Sequence, residues 1–104
     1  MRRVAADPSA RVIVVPVLQP GVDAMTLDRW IFVRRGHEHD ERLLTHELVH
    51  VRQWRERGVV RFLREYLGAY FAGRRCGLNH REAYLAIPLE QEARAAELSY
   101  ASTP

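Results

Sequence analysis

The hydrophobic pattern changes once along the chain, near residue 40, and this change constrains the fold more than any other feature. Residues 11–17 are almost all β-branched, which is typical of a strand buried on both faces or packed under helices. Residues 26–34 have a similar strand character. From residue 40 onward, apolar residues recur with the 3.6-residue period of amphipathic helices. The sequence therefore predicts an α+β fold, with short N-terminal strands followed by three to four helices.

Local signals predict where these elements begin and end. Pro16 makes the first strand an edge strand or ends it early, because proline has no N–H to donate. Asp40 is a good N-cap for the first helix, and Gly58 is a plausible stop after it. Asn79 and Glu82 form a capping pair at the start of a short helix. The predicted helices are residues 40–57, 59–72, 79–86 and 88–99.

The size and composition of the chain predict one small domain. It has 104 residues, of which 47% are hydrophobic and 28% charged, and this balance excludes a disordered tail or a collagen-like repeat. We therefore expect a single domain over residues 1–104, with residues 1–10 and 100–104 as flexible termini. A chain of this length buries a modest core, so a bound metal ion or partner would add to its stability.

The basic residues are all arginine, and they give the chain a formal net charge of +3. Residues 52–81 hold eight arginines against two acidic residues. Such a basic segment can attract phosphate or nucleic acid. However, the arginines are scattered around the predicted helices, as they are on solvated helix faces. Nucleic-acid binding is therefore ranked last among the functions considered.

Cysteine content and hydropathy predict a cytoplasmic protein that does not associate with membranes. Cys76 is the only cysteine, so the chain cannot form an internal disulfide. No stretch reaches the roughly 20 apolar residues that a membrane-spanning helix needs. The apolar run at residues 12–18 contains a proline and is not followed by the cleavage site of a signal peptide. The sequence leaves the oligomeric state open.

The segment His46–His50, with the sequence HELVH, lies in the middle of the first predicted helix. Histidines four residues apart project from one face of a helix, close enough for both to bind one Zn²⁺ ion. Glu47 would face a water molecule on that ion and take its proton as the general base. We therefore predict one zinc ion per chain, with His46 and His50 as ligands and Glu47 as the catalytic residue. The alternative is that both histidines lie on an exposed surface.

A catalytic zinc site needs a third protein ligand and an open position for water. A histidine six residues after His50 is one common source, but that position is Glu56. The third ligand is therefore expected from a later helix. The candidates are Glu90, Glu92 and Glu97 in the last helix, and His80 outside it.

The motif and its continuation resemble a known group of enzymes. His46–His50 followed by Gln53, with the pair Glu92-Ala93 about forty residues later, is similar to the gluzincin branch of zinc metallopeptidases. More narrowly, a strand followed by HELVHVRQ and then by PLEQEA resembles short bacterial HExxH domains of unassigned function. The resemblance covers roughly residues 25–98. It implies a minimal zincin-like fold and peptidase activity, with Glu92 as the third metal ligand.

The pattern of the last helix also favours this residue. Glu92 shares a helix face with small apolar residues such as Ala93, which would let the helix approach the histidines closely. Glu90 lies on the side of Arg94 and Glu97, a charged side that is typical of a solvent-exposed face. Glu92 is therefore the predicted ligand and Glu90 the alternative.

Two classes of function remain for a zinc site of this kind. The first is a metallopeptidase, whose peptide or protein substrate would pair with the strand that precedes the motif helix. In that case Tyr84 could donate a hydrogen bond to a developing oxyanion, although tyrosines more often serve as core aromatics. The second is a non-catalytic module, in which zinc stabilises a small fold that binds a protein partner.

Overall fold

Strands occupy the first third of the chain and helices occupy the rest, which confirms the predicted α+β class. In this computed structural model, the described residues are 2–4 and 7–101, and side chains are described over residues 8–99. The described strands are β1 (Arg2–Val4), β2 (Asp7–Val15), β3 (Ala24–Leu27) and β4 (Trp30–Arg34). The described helices are α1 (Glu41–Arg57), α2 (Val59–Arg75), α3 (His80–Leu85) and α4 (Pro88–Ala101).

The termini that were expected to be flexible are described only in part. Residues 1, 5, 6 and 102–104 lie outside the described residues. Within residues 1–10, the described positions belong to β1 and β2, and residues 100 and 101 end α4. The single domain over residues 1–104 stays a prediction.

The sheet has four described strands in the order β1-β2-β4-β3. Strand β2 pairs in parallel with β4, and the outer strands β1 and β3 pair antiparallel to their neighbours. Strand β2 lies inside the sheet and ends directly before Pro16, as expected from the missing proline N–H. The single strand predicted over residues 26–34 is instead a hairpin of β3 and β4. Its turn contains Asp28 at φ 57°, a left-handed conformation that aspartate tolerates because its short side chain can bond locally.

Helix α1 covers one face of this sheet. Asp40 Oδ1 accepts a hydrogen bond from Leu43 N at 3.1 Å and so caps the helix as predicted. Gly58 ends it at φ 80°, which glycine adopts without strain. Small and β-branched side chains from β2 and β4 pack against α1 in a dry layer. The buried residues of this layer are Ala10, Val12, Ile31, Val33, Leu44 and Val51.

The other helices pack against the opposite side of α1. Their apolar core is built from Trp54, Phe62, Ile87 and Leu89. The Trp54 and Phe62 rings stack with their centroids 4.0 Å apart. Helix α3 starts with the predicted capping box, in which Asn79 and Glu82 each bond the backbone N–H of the other. Within the described residues, no helix combines the length and hydrophobicity that crossing a membrane requires.

Candidate metal centre

The HELVH segment lies at the bottom of an open cleft of about 770 Å³ between β3 and the four helices. The side chain of His46 is 12% exposed and that of His50 is 6% exposed. Glu47 is buried as well. These exposures contradict the alternative of two surface histidines. Because buried histidines and carboxylates need polar partners, the floor of this cleft must contain groups that satisfy them.

Three side chains direct their ligand atoms to one point on this floor. Glu90 Oε1 lies 3.1 Å from His46 Nε2 and 3.2 Å from His50 Nε2. All three atoms lie within 4.8 Å of one another. Ligand atoms around a tetrahedral zinc ion are about 3.4 Å apart, given bonds of about 2.1 Å. The spacing therefore fits one small metal ion held by two imidazole nitrogens and one carboxylate oxygen. Among the described residues, no other group of three or more such side chains meets this criterion.

Glu92, the predicted third ligand, does not join the histidines. Its side chain is 51% exposed, whereas the Glu90 side chain is 5% exposed. Glu92 Oε1 instead accepts hydrogen bonds from Gln53 Nε2 at 2.5 Å and from the Arg52 guanidinium at 3.2 Å. The structure thus replaces Glu92 with Glu90, the alternative left open by the sequence, in the candidate ligand set.

The orientation of α4 explains this correction. The buried side of its first turns is formed by Leu89, Glu90 and Ala93. The small side chain of Ala93 does lie at the interface, as the helix pattern predicted. Glu90 is beside it and Glu92 is turned away. A helix face that carries a metal ligand contains charged residues, so hydrophobic periodicity alone assigns it to solvent.

The other candidates for the third ligand lie outside the group of three. Glu97 Oε2 is 4.0 Å from His46 Nδ1, the ring nitrogen that does not face Glu90. His80 is exposed, and its Nδ1 is 2.8 Å from the hydroxyl of Tyr70. Neither side chain contributes an atom to the cluster formed by His46, His50 and Glu90.

Four side chains surround the carboxylate of Glu90. Its Oε1 lies 3.1 Å from His46 Nε2 and 3.2 Å from His50 Nε2, and it accepts a hydrogen bond of 3.1 Å from the Tyr84 hydroxyl. Its Oε2 accepts a hydrogen bond of 2.5 Å from the Tyr66 hydroxyl. Burial alone would raise the pKa of Glu90, but the hydrogen bonds from His46 and His50 outweigh it and hold the pKa well below its usual range. The carboxylate is therefore ionised near neutral pH, as a metal ligand must be.

Tyr66 is a site residue that no sequence motif indicates. Its ring stacks on Phe62 with the centroids 5.5 Å apart, as in an ordinary core aromatic, but its hydroxyl donates to Glu90. Burial and the charge of Glu90 raise the pKa of both Tyr66 and Tyr84. Both hydroxyls thus remain protonated and donate hydrogen bonds. Their spacing along the chain gave no signal of this role, because each becomes a partner of Glu90 only through the packing of α2 and α3.

Glu47 lies beside the cluster and faces strand β3. Its Oε2 accepts a hydrogen bond of 2.7 Å from the Thr26 hydroxyl. Burial raises the pKa of Glu47, and the charge of His50 opposes this effect only in part. Glu47 is not one of the three residues whose ligand atoms converge. It is therefore a buried carboxylate that is free to handle a proton close to the candidate metal position.

His50 is held on both sides of its ring. Burial lowers its pKa, but the hydrogen bond to Glu90 and the charge of that carboxylate prevail and raise it. The second ring nitrogen, Nδ1, lies 2.8 Å from Gln53 Oε1. The site thus consists of two histidines from α1, a carboxylate from α4 and hydroxyl donors from α2 and α3.

Comparison with known proteins gives one family. The model of the eCIS core domain matches residues 3–58, which run from β1 to the end of α1. Searches of curated proteins and of solved structures found no match. The matched segment contains His46, Glu47 and His50, whereas Glu90 lies beyond it. Since the match spans more than half of the sequence, this chain belongs to the eCIS core domain family.

Proposed function

We propose that this chain is a zinc-dependent metallopeptidase domain that hydrolyses peptide bonds. The observation that carries the proposal is the convergence of His46 Nε2, His50 Nε2 and Glu90 Oε1 beside the buried carboxylate of Glu47. Two histidines and one glutamate form a donor set typical of catalytic zinc sites, which leave a further position open. The resemblance to gluzincins, now with Glu90 as the carboxylate, supports the same assignment.

The donor set favours zinc among the common metal ions. Imidazole nitrogen suits zinc and the neighbouring transition metals, whereas magnesium and calcium prefer ligands that are all oxygen. The ionised Glu90 lowers the positive charge that the site would carry with a divalent ion. When bound, zinc supplies Lewis-acid chemistry, since it polarises a carbonyl group and makes water more acidic.

Glu47 acts as the proton carrier in this proposal. It takes a proton from the attacking water molecule and transfers it to the amine nitrogen of the leaving group. A raised pKa suits this role, because a base that must also release its proton works best near the ambient pH. The hydrogen bond from Thr26 fixes one carboxylate oxygen and leaves the other for water.

Tyr84 acts as the hydrogen-bond donor to the carbonyl oxygen of the substrate. Its hydroxyl lies in the cleft and donates its one hydrogen to Glu90 Oε1 at 3.1 Å, and it would transfer this hydrogen bond to the carbonyl oxygen when a substrate is bound. Its raised pKa keeps the phenol protonated. A preorganised donor beside a reacting carbonyl stabilises the negative charge that develops on its oxygen.

The edge of β3 favours an extended peptide as the substrate. Asp23 O accepts a hydrogen bond from Arg34 N at 2.8 Å, and bonded pairs alternate along an antiparallel ladder. With the observed register of β3 and β4, the backbone groups of Ala24 and Thr26 then point away from β4 and toward the cleft. A peptide added to this edge would run beside Glu47, which Thr26 contacts.

Family membership suggests a protein as the partner. The family takes its name from the extracellular contractile injection system, so we extend to this chain an association with a protein assembly. The substrate would then be a segment of a protein from that setting.

A zinc-stabilised interaction module without catalysis is the second candidate. It is favoured by the contacts of Glu90 on α4, which receives a side chain from each of α1, α2 and α3. A metal ion at this point would link the helices of a small domain, which is the usual task of a structural zinc site. The two candidates differ in what they require of Glu47.

The test combines zinc content with hydrolysis of a peptide library on the same samples. We expect about one zinc per chain in the wild type and in Glu47→Gln. Hydrolysis by Glu47→Gln should fall by about 10²–10⁴-fold, since the general base is lost. Glu56→Gln, which changes an exposed carboxylate of the same helix, is the matched control and should hydrolyse like the wild type. A fully loaded wild type without hydrolysis would favour the interaction module, and a chain that takes up no zinc would contradict both candidates.

A further inference from the structure

Gln53 is a fully buried polar residue at the metal centre, with 0% exposure. A buried amide is costly unless its donors and acceptor find partners. Gln53 Nε2 donates to Leu89 O at 3.0 Å and to Glu92 Oε1 at 2.5 Å, which uses both of its hydrogens. Gln53 Oε1 lies 2.8 Å from His50 Nδ1. Every polar atom of this side chain therefore has a partner.

These partners fix the orientation of the amide. Leu89 O and the Glu92 carboxylate can only accept hydrogen bonds, so they require the NH₂ group of Gln53. The oxygen of Gln53 must then face His50, and His50 Nδ1 must carry a proton to donate to it. This leaves His50 Nε2, which lies 3.2 Å from Glu90 Oε1, as the nitrogen that can bind a metal.

The same amide connects the two elements that carry the ligands. On α1 it contacts His50, one turn before it. On α4 it holds the carbonyl of Leu89, the residue directly before Glu90. Glu92 completes the connection and is itself held by the Arg52 guanidinium at 3.2 Å. Glu92 thus contacts the metal centre through Gln53.

We propose that Gln53 is a positioning residue of the metal centre, which fixes the orientation of His50 and the placement of α1 against the Glu90 turn of α4. This inference rests on the proposed zinc site but does not require hydrolysis. A partner that orients a metal-binding histidine typically contributes 10–100-fold to metal affinity. Glu92 acts through the same amide, which gives this carboxylate a role other than ligation.

The test uses two substitutions with opposite expected effects. Gln53→Leu removes the acceptor of His50 Nδ1–H, so zinc affinity should fall by about 10–100-fold. Gln53→Glu keeps an acceptor for His50 but turns a second oxygen toward Leu89 O and Glu92. It should therefore keep a zinc affinity close to that of the wild type while its melting temperature falls. The control Gln91→Leu alters an exposed glutamine of α4 and should change neither quantity.

Zinc affinity is measured by competition with a chelator. Melting temperature is measured on metal-free samples of the same variants. The exchange rate of the His50 Nδ1 proton, measured by NMR in the metal-free chain, should rise in Gln53→Leu and stay slow in Gln53→Glu. Unchanged zinc affinity in Gln53→Leu would overturn the proposal. Equal losses of affinity in both variants, in proportion to their losses of stability, would leave Gln53 a purely structural role and would overturn it too.

A further variant covers the case in which either substitution prevents folding. In Gln53→Glu/Glu92→Gln, the amide introduced at position 92 can donate to the carboxylate introduced at position 53. Because Leu89 O still lacks its donor, this double variant should recover only part of the thermal stability, but it should bind zinc like the wild type. Loss of affinity in a folded sample would overturn the proposal. A wild type that binds no zinc would instead contradict the proposed function. The proton-exchange measurement on metal-free samples then decides the role of Gln53 separately.

Discussion

The two parts of this chain contribute unequally to the candidate site. The segment from β1 to the end of α1 supplies His46, His50 and Glu47 on one helix that is anchored to a sheet. Helices α2 to α4 supply Glu90 and the hydroxyls that hold it. The first part can form its two histidine positions by local helix geometry, whereas the second depends on how three helices pack. The family match ends at this division, so the family segment alone contains only part of the candidate metal centre.

The largest effect is expected from the part that the family model covers. His46→Ala or His50→Ala should abolish zinc binding, because two protein ligands do not hold a tight catalytic site. His39→Ala, which alters an exposed histidine just before α1, is the control and should bind zinc like the wild type. Zinc content after dialysis measures the effect. Retention of one zinc per chain in His50→Ala would show that zinc binds at a different site.

The next largest effect separates the two glutamates of α4. Glu90→Gln removes an ionised ligand and should weaken zinc binding by more than the 10–100-fold expected for groups that only orient a ligand. Glu92→Gln changes a half-exposed carboxylate that reaches the site through Gln53, and its loss should be smaller. Both variants make the same chemical change two residues apart, and chelator competition compares them directly. A larger loss of zinc affinity in Glu92→Gln than in Glu90→Gln would indicate that Glu92 is the ligand, as the resemblance implies.

These two glutamates also show how far the sequence predicts the structure. Helix α1 could be predicted in full, because Asp40, the apolar period and Gly58 act within a few residues of one another. The turn at Asp28 was missed, since an aspartate between two apolar runs does not interrupt a strand pattern strongly. Glu90 was ranked second because its charged neighbours on α4 look like a solvated face. Only the packed helices reveal that this face is buried against two histidines.

The third prediction concerns pH and compares the chain with and without zinc. In the metal-free chain the pKa of His50 is raised by Glu90, so their ion pair stabilises the fold fully below the ordinary histidine value of 6.5. This contribution is lost as the pH rises through the raised pKa. The raised pKa of Glu47 acts in the same direction, because burying its ionised form is costly. The melting temperature of the metal-free chain should therefore fall as the pH rises above about 6.5.

Zinc should reverse this trend, since protons compete with the metal for the histidines. The difference in melting temperature between zinc-loaded and chelated samples should therefore grow over the same pH range. At a free zinc concentration 100 times the dissociation constant, the stabilisation is about 2.7 kcal/mol, or about 10 °C for a domain of this size. Thermal melts at several pH values measure both trends. Parallel curves with and without zinc would contradict metal binding at the histidines, and a metal-free curve that does not fall with rising pH would contradict the ion pair.

The smallest expected effect tests whether α2 contributes to the site at all. Tyr66 Oη donates to Glu90 Oε2 at 2.5 Å, on the carboxylate oxygen that does not face the histidines. Tyr66→Phe removes this bond and keeps the ring that packs on Phe62. A hydrogen bond to a charged group contributes about 1.5–3 kcal/mol, and partial exposure places Tyr66 at the lower end, so zinc affinity should fall by about tenfold. The control is Tyr70→Phe, which removes another hydroxyl of α2. This hydroxyl contacts His80 of α3, so its removal should leave zinc affinity unchanged. If the two variants bind zinc equally well, α2 supports the fold but not zinc binding, and the site depends on α1, α3 and α4.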